Sequence, residues 1–293
     1  MNENYYDNIL VTVSASNMRR WGRQALEGHW NKAILGTLIY YLVSLVPTLV
    51  ISTMFEETAV QISTNLYAFL VSGPLLLGYT IFLIAIFRRQ PSNPSEVFYG
   101  FEKFGKSFGL YFMMNLFIML WMLLFIVPGI IASLRYAMAF YIMADKPEIG
   151  VMDAIAESKR MMNGNKWKYF CLQISFIGWF CLMGGLLIPV AMIPNETVSL
   201  VAIVIVCSAF IMYLVPYITA SSVGFYEVAN GNLRPAVPAD PTTVEASAET
   251  GEGEKAEALE APANEIPERE GTEENKGNPE DEGPKVEVNI RER

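Results

Sequence analysis

One histidine, three cysteines and one arginine set inside an apolar run are the side chains of this sequence with most scope for chemistry. His29 could serve as a general base or metal ligand, and Cys171, Cys181 and Cys207 could supply thiolates. Their spacing supports neither role. A His-Glu-x-x-His zinc site needs two histidines, Cys-x-x-Cys is absent, and no metal-ligating residue adjoins the cysteines. The cysteines read as small buried hydrophobes. The long apolar runs contain no Asp or Glu, which removes paired-carboxylate chemistry and a carboxylate proton relay. The stretches GNKWK and EKFGKS lack the spacing of a phosphate-binding loop. No catalytic, metal or cofactor-binding residue is assigned, and the expectation is a protein that is not an enzyme and takes no cofactor.

Arg135 is different, because it is the one formal charge within an apolar run. Such a residue usually faces protein or water and is a functional candidate by default. The expected role is a structural anchor for the stretch 123–147, with a lipid phosphate, Glu56, Glu57, Glu196 or carbonyls freed by Pro128 as partners. Pro128 and Gly129 form the expected turn beside it, since proline ends a helix and glycine permits reversal.

The elements that must hold these residues are helices in a bilayer. A hydrocarbon core ~30 Å thick takes roughly 20 apolar residues as helix. Runs at 33–54, 66–87, 169–193 and 198–222 have that length, and 108–144 is long enough for two limbs. Lys and Arg collect in cytoplasmic loops. Four lie in 1–32, four in 88–107 and five in 145–168, with none in 55–65 or 194–197. The run 108–144 must therefore go out and return, as segments 108–127 and 129–144, the second short enough to be re-entrant. The expected architecture is an all-α membrane protein: six segments forming three helical hairpins, both termini cytoplasmic. The polar residues 1–16 precede the membrane domain of 17–230.

Residues 231–293 follow a different rule. They contain no aromatic residue and hold 17 Asp and Glu against 7 Lys and Arg, whereas the first 230 residues hold 13 against 14. With so little apolar surface to offset chain entropy, this acidic tail is expected to be disordered. Nothing in the composition points to nucleic acid.

Each outgoing segment has an amphipathic prelude. Met18, Trp21, Ala25 and His29 share one helical face, as do Val97, Phe101, Phe104 and Phe108, and Val151, Ile155, Ser158 and Met162. The aromatic and basic residues Trp21, Trp30, Lys32, Phe104, Lys106, Trp167 and Lys168 are expected at headgroup depth, so that three interfacial helices accompany the three hairpins. Asn93-Pro94 reads as an N-cap followed by the first helical residue, and Asn163-Gly164 as a helix stop.

The blocks RRWGRQALEGHWNKAI, FGKSFGLYFMMNLFIMLWMLLFIVPGII, YAMAFYIMAD, AIAESKRMMNGNKWKYF and PYITASSVGFYEV resemble, in this order, an uncharacterised bacterial integral-membrane family, domain of unknown function 975. The resemblance covers roughly residues 15–230 and excludes the acidic tail. That family is distantly similar to the membrane domain attached to some glycerophosphodiester phosphodiesterases. The resemblance implies a multi-pass protein of the bacterial cell membrane and implies no activity. Two functions fit: a non-enzymatic membrane-organising or protein-interaction role, with the bilayer and other membrane proteins as partners, or a transporter or lipid-handling role. Neither fixes an oligomeric state.

Overall fold

The computed structural model describes residues 9–54 and 57–233. The first eight residues, Phe55, Glu56 and residues 234–293 of the expected acidic tail lie outside them; residues 231–233 of that expected tail are described, and the Asn232 and Leu233 N–H groups donate to the Glu227 carbonyl. Every regular element among the described residues is helical. In chain order these are α1 (Ala15–Leu26), α2 (Trp30–Met54), α3 (Glu57–Phe87), a 3-10 turn (Pro94–Phe98), α4 (Tyr99–Glu102) and α5 (Phe104–Leu124). There follow α6 (Ile126–Tyr136), α7 (Ala139–Asp145), α8 (Val151–Met161), α9 (Lys166–Ile174), α10 (Ile177–Ala191) and α11 (Glu196–Ala229). Counting α6 with α7 and α9 with α10, six segments are long and apolar enough to cross a membrane.

These six pack in consecutive antiparallel pairs. Thr37 Oγ1 and the Tyr79 hydroxyl are 2.8 Å apart, and the Tyr67 hydroxyl donates to the Val43 carbonyl, so α2 runs against α3. Phe117 meets Tyr136 at 6.2 Å, and a Cβ on Gly129 would fall on Met122, so α6 returns along α5. Trp179 meets Tyr213 and Phe180 meets Phe210, which pairs α10 with α11.

Burial is concentrated at one end. Leu75, Leu83, Ile86, Met138, Ile142, Ile155, Leu172 and Phe225 are each 2% exposed or less, whereas α10 has no buried residue. Large apolar side chains face outward over most of α2, α10 and the first half of α11. In water such a surface would aggregate; a bilayer is the solvent it fits.

The short helices α1, α4 and α8 each pack on an element of another helical pair. Gly22 of α1 meets α11 so closely that a Cβ would sit 2.6 Å from Ser221 Oγ. Gly100 of α4 approaches the Pro74 carbonyl of α3, and the Val97 carbonyl of the 3-10 turn approaches Gly78. Ser158 of α8 reaches the junction between α6 and α7. Since α11 ends the described chain and α1 begins it, these contacts close a ring.

Several boundaries differ from the sequence expectation. Helix α3 begins at Glu57, because residues 57–65 contain no proline or glycine to break it. Helix α11 continues past 222 to Ala229. The run 169–193 is broken at Ser175–Phe176, and the run 129–144 at Ala137–Met138. Reversal after α5 occurs at Phe125, which is extended, while Pro128 and Gly129 sit in the first turn of α6. Proline is tolerated there because that turn's N–H groups have no intrahelical acceptor. Within the expected polar segment 1–16, the described residues 9–16 include the buried Val11 and Val13, and Ser14 caps α1. None of the three cysteines is fully buried as expected: Cys181 is exposed on α10, and Cys171 and Cys207 are half-buried.

A candidate functional site at the buried end of the bundle

Arg88, Asp145 and Glu227 are the first charges after the apolar stretches of α3, α7 and α11, and the fold brings them together. Arg88 follows Phe87 and enters a turn in which Arg89 has a positive φ of 56°, an uncommon conformation for a residue other than glycine. Arg89 donates to the Gln24 carbonyl at 2.8 Å, which ties that turn to α1. Arg88 is thereby aimed into the bundle. Its NH1 donates to Asp145 Oδ1 at 2.6 Å, and its Nε to Glu227 Oε1 at 2.8 Å.

The second oxygen of each carboxylate is bonded as well. The Tyr226 hydroxyl donates to Asp145 Oδ2 at 3.0 Å, and Asn232 Nδ2 to Glu227 Oε2 at 2.6 Å. The Glu227 side chain is only 4% exposed, against 22% for Arg88 and 18% for Asp145. Burial works against the Arg88 charge, but hydrogen bonds and attraction from the two carboxylates outweigh it and raise the guanidinium above its ordinary value. Chemically the cluster is a clamp: an obligate cation between two anions, joining three helix ends.

Beside it lies a surface cleft of about 240 Å³, with Leu77, Ile81 and Met143 along its floor and Tyr99, Lys103 and Lys106 at its edge. Lys103 Nζ donates to Glu148 Oε1 at 3.1 Å, and Lys106 Nζ to the Pro147 carbonyl at 3.0 Å. Lys103, with help from Lys106, holds the exposed Glu148 carboxyl below its ordinary value.

Two helix breaks are completed from the short helices. Arg19 NH1 donates to the Ser175 carbonyl at 3.2 Å, where α9 ends. Ser158 Oγ donates to the Arg135 carbonyl at 2.9 Å and accepts from the Met138 N–H at 3.2 Å. Polar backbone freed by each break is thus satisfied inside the protein.

The residues singled out in the sequence are scattered around this end. Trp30 stacks on Tyr213 of α11 at 4.9 Å, and Trp21 is half-buried against the core. Lys32, Phe104 and Lys168 are exposed, Trp167 is 68% exposed beside Phe170, and Lys106 edges the cleft. His29 is half-buried in the turn between α1 and α2, its Nδ1 3.3 Å from the Glu27 carbonyl. Arg135 has an exposed side chain on α6, one residue before the buried Tyr136. None of them belongs to the Arg88 cluster. Sequence reasoning missed Asp145 and Glu227, which fall just beyond the expected segment ends at 144 and 222. Opposite charges standing first after three returning apolar runs were the available signal.

Six long apolar helices bound together at one end fit a helical membrane protein. The chain belongs to the family described as "Protein of unknown function (DUF975)", whose model matches residues 13–132 and 123–232. Neither the curated proteins nor the solved structures include a match to it.

Proposed function

We propose that this chain is a multi-pass protein of the bacterial cell membrane, with both termini in the cytoplasm. Its role is non-enzymatic, in organising the membrane or serving as a partner for other membrane proteins. Three membrane-inserted hairpins, α2–α3, α5 with α6–α7, and α9–α10 with α11, stand on a cytoplasmic base. Helices α1, α4 and α8 lie at its interface, with their apolar faces on that base. The basic residues flanking these helices support this sidedness.

One observation carries the reading. The Arg88, Asp145 and Glu227 charges at the base are spent on each other, so that three helix ends are held together instead of facing a ligand. What the protein offers its surroundings is a rigid base and a wide apolar flank. The transporter or lipid-handling reading draws on the cleft, where two lysines edge an apolar floor.

The test uses the full chain extracted in native-membrane discs. Co-purification of one protein in fixed ratio, or enrichment of particular lipids over the bulk membrane, supports the proposal. Solute or lipid movement in proteoliposomes well above protein-free vesicles would favour the alternative. Sidedness is checked by impermeant thiol labelling at positions 58 and 196, expected from outside, and at 160, expected only from inside.

A further inference from the structure

The short helices differ in how their basic side chains are neutralised. Lys103 and Lys106, beside α4, pair with Glu148, and Lys146 and Arg160 pair with Glu157 of α8. Helix α1 carries Arg19, Arg20 and Arg23, and α9, which packs on it, carries Lys166 and Lys168. Neither helix contains Asp or Glu. Glu27 is the first acid after α1. Among the described residues no ion pair includes it or any of the three arginines.

Two of these arginines stand over rings. Arg19 Cζ lies 6.0 Å from the centre of the Phe176 ring, and Arg23 Cζ lies 5.8 Å from that of Tyr217. The two residues are one turn apart on α1, and the two rings are 5.2 Å apart. An aromatic face attracts a cation without neutralising it. Arg19 gives one bond to the protein, from NH1 to the Ser175 carbonyl. Two guanidinium groups with donors to spare thus stand side by side, an arrangement suited to a phosphate.

Two long helices place this face at a membrane boundary. Helix α11 opens at Glu196, and its 21 steps to Tyr217 rise ~32 Å. Helix α3 opens at Glu57, and its 21 steps to Gly78, where the Val97 carbonyl of the 3-10 turn packs, rise the same ~32 Å. A hydrocarbon core is ~30 Å thick. With Glu196 and Glu57 at the opposite surface, Arg19 and Arg23 stand at headgroup depth. Beyond them the flank is apolar. Ile177 and Phe180, which follow Phe176, are 59% and 49% exposed, and α10 has no buried residue.

We infer that Arg19 and Arg23 bind the phosphate of an anionic phospholipid in the cytoplasmic leaflet, whose acyl chains lie on the flank of α10. The headgroup is anionic because α1 and α9 bring five cations and no acid to one surface, and such clusters select anionic over zwitterionic lipid. Residues 234–293 are acidic as well, but they contain no aromatic residue and bring little apolar surface to the flank below the arginines. The inference rests on the membrane placement proposed above and deepens the membrane-organising reading by naming the lipid class that the base gathers.

The test uses the full chain in phosphatidylcholine vesicles that contain a small fraction of chain-brominated phosphatidylglycerol or, in parallel, chain-brominated phosphatidylcholine. Trp30 and Trp179 lie 4.9 and 5.7 Å from the Tyr213 ring, itself 6.1 Å from Tyr217, so tryptophan emission reports lipid held at the site. The brominated phosphatidylglycerol should quench more at equal mole fraction. Its relative affinity should fall about fivefold in Arg23→Gln and about 25-fold when Arg19→Gln is added. Because Arg19 also holds the Ser175 carbonyl, Arg23→Gln alone carries the test if the double variant does not accumulate. Lys146→Gln with Arg160→Gln removes two charges elsewhere on the base and should leave the preference unchanged. Equal quenching by the two lipids, an unaltered preference in Arg23→Gln, or an equal loss in the Lys146 and Arg160 variant overturns the inference. A preference seen only in a chain ending at Leu233 also overturns it and assigns the arginines to the acidic tail. Labelling of position 160 from outside refutes the proposed sidedness whichever lipid is preferred, whereas lost preference with normal labelling refutes this inference alone.

Discussion

Replacing Arg88 with methionine keeps much of its volume and removes the cation from the clamp. Asp145 and Glu227 then remain as two carboxylates drawn toward one vacated position, the second of them 4% exposed. Removing one partner of a fully buried pair costs ~3–5 kcal/mol. Arg88 and Asp145 keep 22% and 18% of their exposure, and solvent screening reduces the expected loss to about 2 kcal/mol. For a domain of this size that is a fall of roughly 4–8 °C in the unfolding midpoint. The assay is thermal unfolding of protein reconstituted in discs, followed by tryptophan fluorescence at fixed protein and lipid concentration. The triple variant Arg88→Met, Asp145→Asn, Glu227→Gln carries the decisive comparison. It removes all three charges, and neutral replacement of a buried ion set is often close to neutral in stability, so it should recover to within about 1 kcal/mol of the parent. A single variant as stable as the parent, or a triple variant no better than the single, would refute the view that Arg88 clamps three helix ends.

Other substitutions probe the ring and the base. Gly22→Leu forces side-chain atoms into Ser221, whose backbone N would lie 2.8 Å from the new Cβ, and should destabilise by ~1–3 kcal/mol on overpacking grounds, read in the same unfolding assay. Asn165→Ala removes the bonds to Val11 N, the Ile9 carbonyl and the Met161 carbonyl, each 2.8 Å; a loss of ~1–3 kcal/mol and faster proteolysis near residue 10 are expected. Because Lys103 and Lys106 hold the Glu148 carboxyl below its ordinary value, their pairing is fully present above pH ~4.3. It is lost only as pH falls through the depressed folded value. A titration of that carboxyl by carbon NMR should show a midpoint below the ordinary one, moving up in Lys103→Gln.

Much of the architecture could be read from the chain because a bilayer imposes a length scale. The six apolar segments follow from runs of the required size, and the Asn93 cap appears as expected, its Oδ1 accepting from the Ser95 N–H at 3.3 Å and Glu96 returning the bond at 3.0 Å. Which helix touches which could not be read so directly. Lipid tails are as apolar as leucine, so hydropathy records that a face is apolar without saying whether lipid or protein covers it. Cys181 and Leu172 sit in one expected segment, yet one is exposed and the other buried. The breaks at Ala137–Met138 and Ser175–Phe176 were hidden for a related reason: their orphan carbonyls are satisfied by Ser158 and Arg19, which lie 23 and 156 positions away. The Arg88 clamp likewise spans 57 and 139 positions in the chain.

The ring of contacts bears on how the base holds together. Helix α1 is the first element described, and its partners are on α9 and α11, the last to be added: Gly22 against Ser221, and Arg19 on the Ser175 carbonyl. Arg89 joins the end of α3 to the Gln24 carbonyl of the same helix, and Asn165 draws residues 9–11 onto the end of α8. Each contact couples the beginning of the chain to segments inserted later. On the proposed topology the first and second hairpins reach the bilayer before the base that unites them can close, and the apolar flanks of α2 and α5 meet lipid first. Closure needs the carboxylate of Glu227, because until α11 arrives Arg88 has only Asp145 as its acid partner in the clamp. A chain ending before Glu196, which lacks all of α11, should thus insert its first two hairpins with normal sidedness while leaving residues 15–26 open to protease. Protection of those residues in such a truncation, equal to that in the full chain, would show that α1 docks without α11 and would break the argument for a closed base.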